Sequence, residues 1–361
     1  SVGTVQTNYC RASGKTWRIR MFNDTLAFDD VLMVPQKSDI ESRKDIDIGS
    51  ELAGSKFRLP VISSPMDTVT EGSMIAAMHE AGGLGILHRY NYIDDQAKVI
   101  HDASERGITA LSAAVGVTDD FLVRADTLVA AGANILCIDV AHGHHTNVER
   151  ALKALKDKFG DSVKLIAGNV ATDDGYVDLC KWGADAVRVG IGGGSICSTR
   201  MQTGHGLSTF QTIIACNMAR TAAHSPFHSS VKYDFDPKPI IADGGIKTAG
   251  DIVKAMAVGA DFVILGSMLA GTAEAPGSAY TDASGKSYKA YRGMASREAQ
   301  EAWKGTANSL EGISTTIRYK GPVALILEDM AQNIRSGFSY SGARNTQELR
   351  EKCHFVMQSP G

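Results

Sequence analysis

The chain has 361 residues, 43% of them hydrophobic and 21% charged, a balance that suits a globular protein with a sizeable core. Its 37 lysines and arginines against 40 aspartates and glutamates leave a formal charge of −3, so no global basic field favours nucleic acid. No apolar run reaches the roughly 18 residues needed to cross a bilayer, and six scattered cysteines without a CxxC pair suit reduced thiols in a cytoplasmic protein rather than a disulfide framework or zinc site.

Residues 1–27, polar as far as Arg20 and without the apolar centre of a signal peptide, read as an N-terminal extension. From residue 59 onward, short apolar runs alternate with amphipathic stretches. The runs at 59–63, 83–87, 111–115, 135–140, 164–167, 186–189, 239–242 and 262–265 predict strands. Helical periodicity fills most of the gaps, as at 72–80, 119–131, 148–158 and 250–258. Continuous apolar strands alternating with helices mean a parallel α/β sheet covered on both faces. Eight of them predict closure into a (β/α)8 TIM barrel over residues 28–349. After the eighth strand the repeat is interrupted, and about 270–320 predicts an inserted hairpin and a mobile flap. An apolar helix over 323–334 resumes the pattern, and 350–361 read as a C-terminal tail.

Polar residues fall where such a barrel does its chemistry. The segments 64–67, 139–142, 168–169, 190–197 and 243–245 each lie at or just after a strand end, and strand C-termini converge on one mouth in this fold. Any one of these segments alone could be an ordinary Gly/Asp turn, but five together point to a site.

The run Gly190 to Cys197 is the most informative. Its glycines let backbone groups crowd a ligand without Cβ interference. The amides could hold a phosphate, with Ser195 adding a hydroxyl, or the carbonyls could coordinate a cation. Loops after strands seven and eight often complete a phosphate site, which adds Gly245, Gly266 and Ser267. The Asp243 carboxylate would repel phosphate and better suits vicinal ribose hydroxyls. Cys197, at the loop's end, is the candidate nucleophile, with Arg200 a candidate source of positive potential. The other five cysteines read as small core residues. His142, His144 and His145 lack clustered acidic partners and read as a solvated loop rather than a metal site. No GxGxxG follows the first strand, so a nicotinamide would not be held in Rossmann fashion.

These residues carry a resemblance. Gly192 to Arg200, Ser64 to Glu71, Ile241 to Gly245 and Tyr291 to Met294 together resemble the inosine monophosphate dehydrogenase and guanosine monophosphate reductase family, from about Phe28 to Leu349. The resemblance implies a purine nucleoside monophosphate substrate and a covalent thioimidate between Cys197 and purine C2. Thr199 and Glu311 match catalytic positions. Ser64, Met66, Tyr291, Met294 and Ala295 fall in substrate-binding motifs, Met66, Met294 and Ala295 against the base. Asp139 and Asn169 match positions near the nicotinamide of NAD or NADPH. Gly192, Gly194 and Cys197 match the carbonyls that bind potassium in the dehydrogenases. A homotetramer is implied as well.

Departures bear on the direction of reaction. His88 runs almost directly into the next helix, where dehydrogenases usually carry an inserted regulatory pair of modules. Between Met294 and Glu311 stand only 16 residues with no tyrosine, so the Arg–Tyr pair that activates water in dehydrogenases is missing, and Arg297 is out of register with it. Thr203 also leans towards reductases, whereas the segments 319–323 and 340–344 read like a dehydrogenase. The expectation is GMP reductase with NADPH; the alternative is IMP dehydrogenase with NAD. A catalytically silent purine nucleotide sensor is a lesser alternative, disfavoured by the presence of Cys197, Thr199 and Glu311.

Overall fold

The computed structural model describes residues 25–52, 54–118, 120–223, 235–305 and 311–358, the Lys304 side chain excepted, with the backbone of two paired N-terminal strands, Gln6–Ala12 and Lys15–Met21. Residues 306–310 of the expected flap and the side chains of the expected extension through residue 24, Cys10 among them, lie outside the described residues.

Eight parallel strands close into a barrel: β1 (Val61–Ser63), β2 (Leu84–Leu87), β3 (Ser112–Val115), β4 (Ile135–Asp139), β5 (Lys164–Val170), β6 (Ala186–Val189), β7 (Ile240–Asp243) and β8 (Phe262–Leu265). β8 pairs back onto β1, with Ile264 opposite Ile62. Every run expected to be a strand is one, with ends displaced by a residue or two, except β5. That strand runs on to Val170 because Gly168, which looked like a turn, still pairs with Asp139.

Helices Gly72–Ala81, Ile93–Glu105, Phe121–Ala130, Thr146–Phe159, Asp173–Lys181, Thr209–Ala223 and Ala249–Ala257 follow the first seven strands in turn. Val323–Tyr340 follows the eighth after an insertion. In Thr146–Phe159, Val148, Ala151, Leu152 and Leu155 form the buried stripe, the spacing that puts one face of a helix on a sheet.

Strand periodicity builds two cores. Ile62, Leu84, Ile86, Ala114, Ile135, Cys137, Ile166, Ala186, Ile241, Phe262 and Ile264 fill the barrel interior. Their neighbours Val61, Leu87, Leu136, Ile138, Val263 and Leu265 pack outward against the helices. The hairpin Ser50–Leu52/Ser55–Phe57 contributes Leu52 and Phe57 to the interior cluster, where the Phe57 ring meets Phe262 edge-on with centroids 5.6 Å apart.

The insertion after β8 is a three-stranded antiparallel sheet, Tyr280–Thr281, Ser287–Arg292 and Ser314–Arg318. The flap helix Arg297–Lys304 leaves between its second and third strands. Residues past 349 remain in the fold: the helix Thr346–Lys352 continues there, and Phe355–Met357 pairs antiparallel with Val31–Met33. Among the described residues no helix is long and apolar enough to cross a membrane.

Candidate active site

Extending the inward-facing parity past Ile62, Cys137, Ala186, Ile241 and Ile264 brings Ser64, Asp139, Arg188, Asp243 and Gly266 to the barrel mouth. A cavity of about 530 Å³ opens there, lined by all five, within the roughly 300–1,000 Å³ of small-molecule sites.

Arg188 lies at its floor, 4% exposed. Its Nη1 donates to Asp139 Oδ1 at 2.6 Å and its Nη2 to Asp243 Oδ2 at 2.7 Å. Asn169 Nδ2 donates to the same Asp243 oxygen at 2.8 Å and to the Gly190 carbonyl at 2.9 Å. Burial alone would depress the guanidinium, but the carboxylates of Asp243 and Asp139 outweigh it and hold the proton firmly. Two glycines make this packing possible. A Cβ on Gly168 would stand 2.6 Å from the Arg188 Cβ, and one on Gly190, at φ +130°, would stand 2.1 Å from the Asp243 carbonyl oxygen.

One end of the cavity is lined by Ser195, Gly245, Gly266 and Ser267. The Tyr291 hydroxyl stands beside Gly266, Ser195 and Ser267, and burial pushes its phenol pKa up. Lys247, whose ammonium donates to Asp29 at 2.7 Å, lines the cavity too. Met66, Met294 and Ala295 line the cavity as well. The Asp67 amide donates to Met294 Sδ at 3.3 Å, and Arg292 binds the Asp67 carboxylate at 2.5 Å, tying the loop after β1 to the inserted sheet.

Cys197 is half-buried. Its thiol donates to Thr199 Oγ1 at 3.2 Å, and that hydroxyl donates to Glu311 Oε2 at 2.9 Å. Glu311 is brought in by strand-like pairing between the nucleophile loop and the returning flap: the Ser198 amide donates to the Glu311 carbonyl at 2.9 Å and the Ile313 amide to the Ile196 carbonyl at 3.0 Å. Burial pushes Cys137 and Cys180 up to about 11, and Cys216 and Cys353 upward too, so those four are poor nucleophiles. Gly192, Gly194 and Cys197 also line the cavity, with the Gly194 carbonyl turned onto the Cys197 amide at 3.2 Å.

Two further expectations meet the structure. The Arg200 stem lies across Gly192 and Gly206, where any Cβ would clash with it at 2.5 and 2.6 Å. His144 instead pairs with Asp178 at 2.9 Å, and His145 caps its helix through the Asn147 amide. Among the described residues no group of three or more His, Cys, Asp or Glu could hold a metal ion.

Sequence reasoning missed Arg188, Arg89, Tyr90, Lys247 and Gln300, all of which line the cavity. The Arg188 signal was present as a charge inside an apolar strand at an inward position. Gln300 gave none, because a glutamine on a polar helix is unremarkable until the helix is placed.

A profile of the family described as "IMP dehydrogenase / GMP reductase domain" matches residues 25–361. A GMP reductase from Albidiferax ferrireducens is 37% identical over 331 residues, covering 91% of this chain and 94% of that protein. An inosine-5'-monophosphate dehydrogenase from Nitrosopumilus maritimus is 31% identical over 474 aligned positions, covering 94% and 96%. Among solved structures, a GMP reductase variant from Trypanosoma brucei in complex with guanosine 5'-monophosphate superposes with a TM-score of 0.83 at 28% identity, covering 94% of this chain and 96% of that one. A closed barrel bearing this cavity, matched over nearly its whole length, belongs to the IMP dehydrogenase / GMP reductase family of oxidoreductases.

Proposed function

We propose that the protein is a GMP reductase, converting GMP and NADPH to IMP, ammonia and NADP. The observation that carries this reading is the directed chain of donors from Cys197 through Thr199 to Glu311, set in a flap whose 16 residues between Met294 and Glu311 contain no tyrosine. The arginine there, Arg297, is turned to Glu301 on the exposed face of the flap helix, 3.4 Å away.

The chain of donors runs the way a deamination needs. The thiol proton passes by way of Thr199 to Glu311 as Cys197 Sγ bonds to purine C2. The 2-amino nitrogen, protonated from the same relay, then leaves as ammonia and a thioimidate remains. NADPH supplies the hydride that C2 takes up, after which the C2–S bond breaks, the thiolate returns and IMP is released. Asp139 and Asn169, fixed by Arg188 and Asp243, offer polar groups beside the cavity to orient the nicotinamide carboxamide. Asp243 also faces the ribose hydroxyls. Hydrolysis of the thioimidate would instead need a water-activating pair, which this flap sequence lacks.

Paired absorbance assays test the reading, one with GMP and NADPH, the other with IMP, NAD and potassium. Loss of NADPH with GMP alone is the expected result. NADH formation from IMP alone would overturn the assignment in favour of the dehydrogenase. Tyr291→Phe tests the phosphate end. Removing one hydroxyl from a charge-assisted network is expected to raise the nucleotide KM about tenfold. The kcat should hardly change, and binding of the free nucleoside should not change, as steady-state kinetics and calorimetry would read.

A further inference from the structure

The flap helix is held at its two ends in different ways. Ser296 and Ala299, at its start, are buried beside the cavity, and the Gln300 amide donates to the Ala295 carbonyl at 3.1 Å. In its last turn Trp303 reaches the barrel. The Trp303 ring lies over Tyr90, with centroids 6.3 Å apart and planes 24° from parallel, and against Tyr92 at 5.7 Å. The Arg124 guanidinium stands 5.9 Å from the same indole, within reach of a cation–π contact.

That landing surface is rigid. Arg124 is 4% exposed and donates to Gln96 Oε1 at 2.8 Å, the Asn91 carbonyl at 3.2 Å and Asp120 at 2.9 Å. Gln96, fully buried, donates in turn to the carbonyls of His88 and Ala114, at the ends of β2 and β3. The indole therefore sits on a surface riveted to the barrel frame. Tyr90 belongs both to that surface and to the cavity wall.

We propose that Trp303 is the latch of the flap: a positioning residue that, by docking on Tyr90, Tyr92 and Arg124, keeps the returning segment in place so that Glu311 meets Thr199 and covers Cys197. Among the described residues the segment beyond the helix is also held by the Glu311 amide on the Ala295 carbonyl at 3.2 Å and by the short pairing around Gly312. The effect on turnover rests on the catalytic reading above; the effect on access to the thiol does not.

The test is the rate at which Cys197 is alkylated by iodoacetamide, followed by peptide mass, together with steady-state kinetics on whichever nucleotide the enzyme turns over. Trp303→Ala is expected to speed alkylation severalfold and to lower kcat by ~10- to 100-fold, as displacement of a catalytic group does, with a smaller change in nucleotide KM. Trp303→Phe should restore most of both, and Tyr92→Ala, which alters only the barrel side, should move both in the same direction as Trp303→Ala. An alkylation rate unchanged in Trp303→Ala and Tyr92→Ala overturns the latch. Faster alkylation with unchanged kcat overturns its role in placing Glu311. A wild-type enzyme inactive on every purine nucleotide counts against the proposed function and leaves the alkylation result to decide the latch.

Discussion

Cys197→Ala is expected to lower turnover by about 10⁴-fold or more while nucleotide affinity stays within a factor of about three. Removing a covalent nucleophile costs factors of this order or larger in other enzymes, and none of the polar groups proposed to hold the phosphate depends on the thiol. Because Cys197 is only half-buried, the change should cost little stability. Cys353→Ser, a change to another incompletely buried thiol whose Sγ donates to the carbonyls of Arg350 and Ala257, should leave turnover intact. Isothermal titration with GMP, run beside single-turnover kinetics on both variants, separates binding from chemistry. Full activity in Cys197→Ala would remove the covalent step altogether.

The second large effect is on stability. Arg188→Met leaves the carboxylates of Asp139 and Asp243 at the barrel mouth without the cation that now lies between them. Breaking a buried ion pair from one side typically costs about 3–5 kcal/mol, and urea denaturation at neutral pH should show a loss of that order. A loss well below that range would mean that the ion pairs with Asp139 and Asp243 do not hold the barrel mouth together.

Most of the barrel was legible because its signal is local. Runs such as 262–265 are apolar throughout, as a strand covered on both faces must be, and their shortness between helical stretches sets them apart from buried helix. The strand-end residues were legible for the same reason, since Ser64, Asp139 and Asp243 interrupt those runs where parity turns them inward. β5 was cut short because Gly168 carries no side chain and so no pattern, while its backbone continues the ladder. The direction of Arg200 was not legible, because spacing along the chain says nothing about direction once glycines turn it. Tyr90 and Trp303 are some two hundred residues apart in sequence, and only the docking of the flap makes them neighbours. Arg188 could have been found: a lone guanidinium inside a barrel strand has nowhere to go except onto carboxylates.

The pairing of Cys197 with Gly312 carries a consequence for the thiol's safety. A nucleophile fixed on an open rim would be offered to every oxidant and stray electrophile that diffuses past. Here the thiol lies against the inserted segment, and the carboxylate that would draw off its proton, Glu311, is carried by that same segment. On the proposed relay, lifting the segment to admit a molecule parts Glu311 from Thr199 as it bares the sulfur. A ligand that cannot hold the segment down then meets an accessible thiol with no group in place to carry a proton to a leaving amine, so entry alone does not start the reaction.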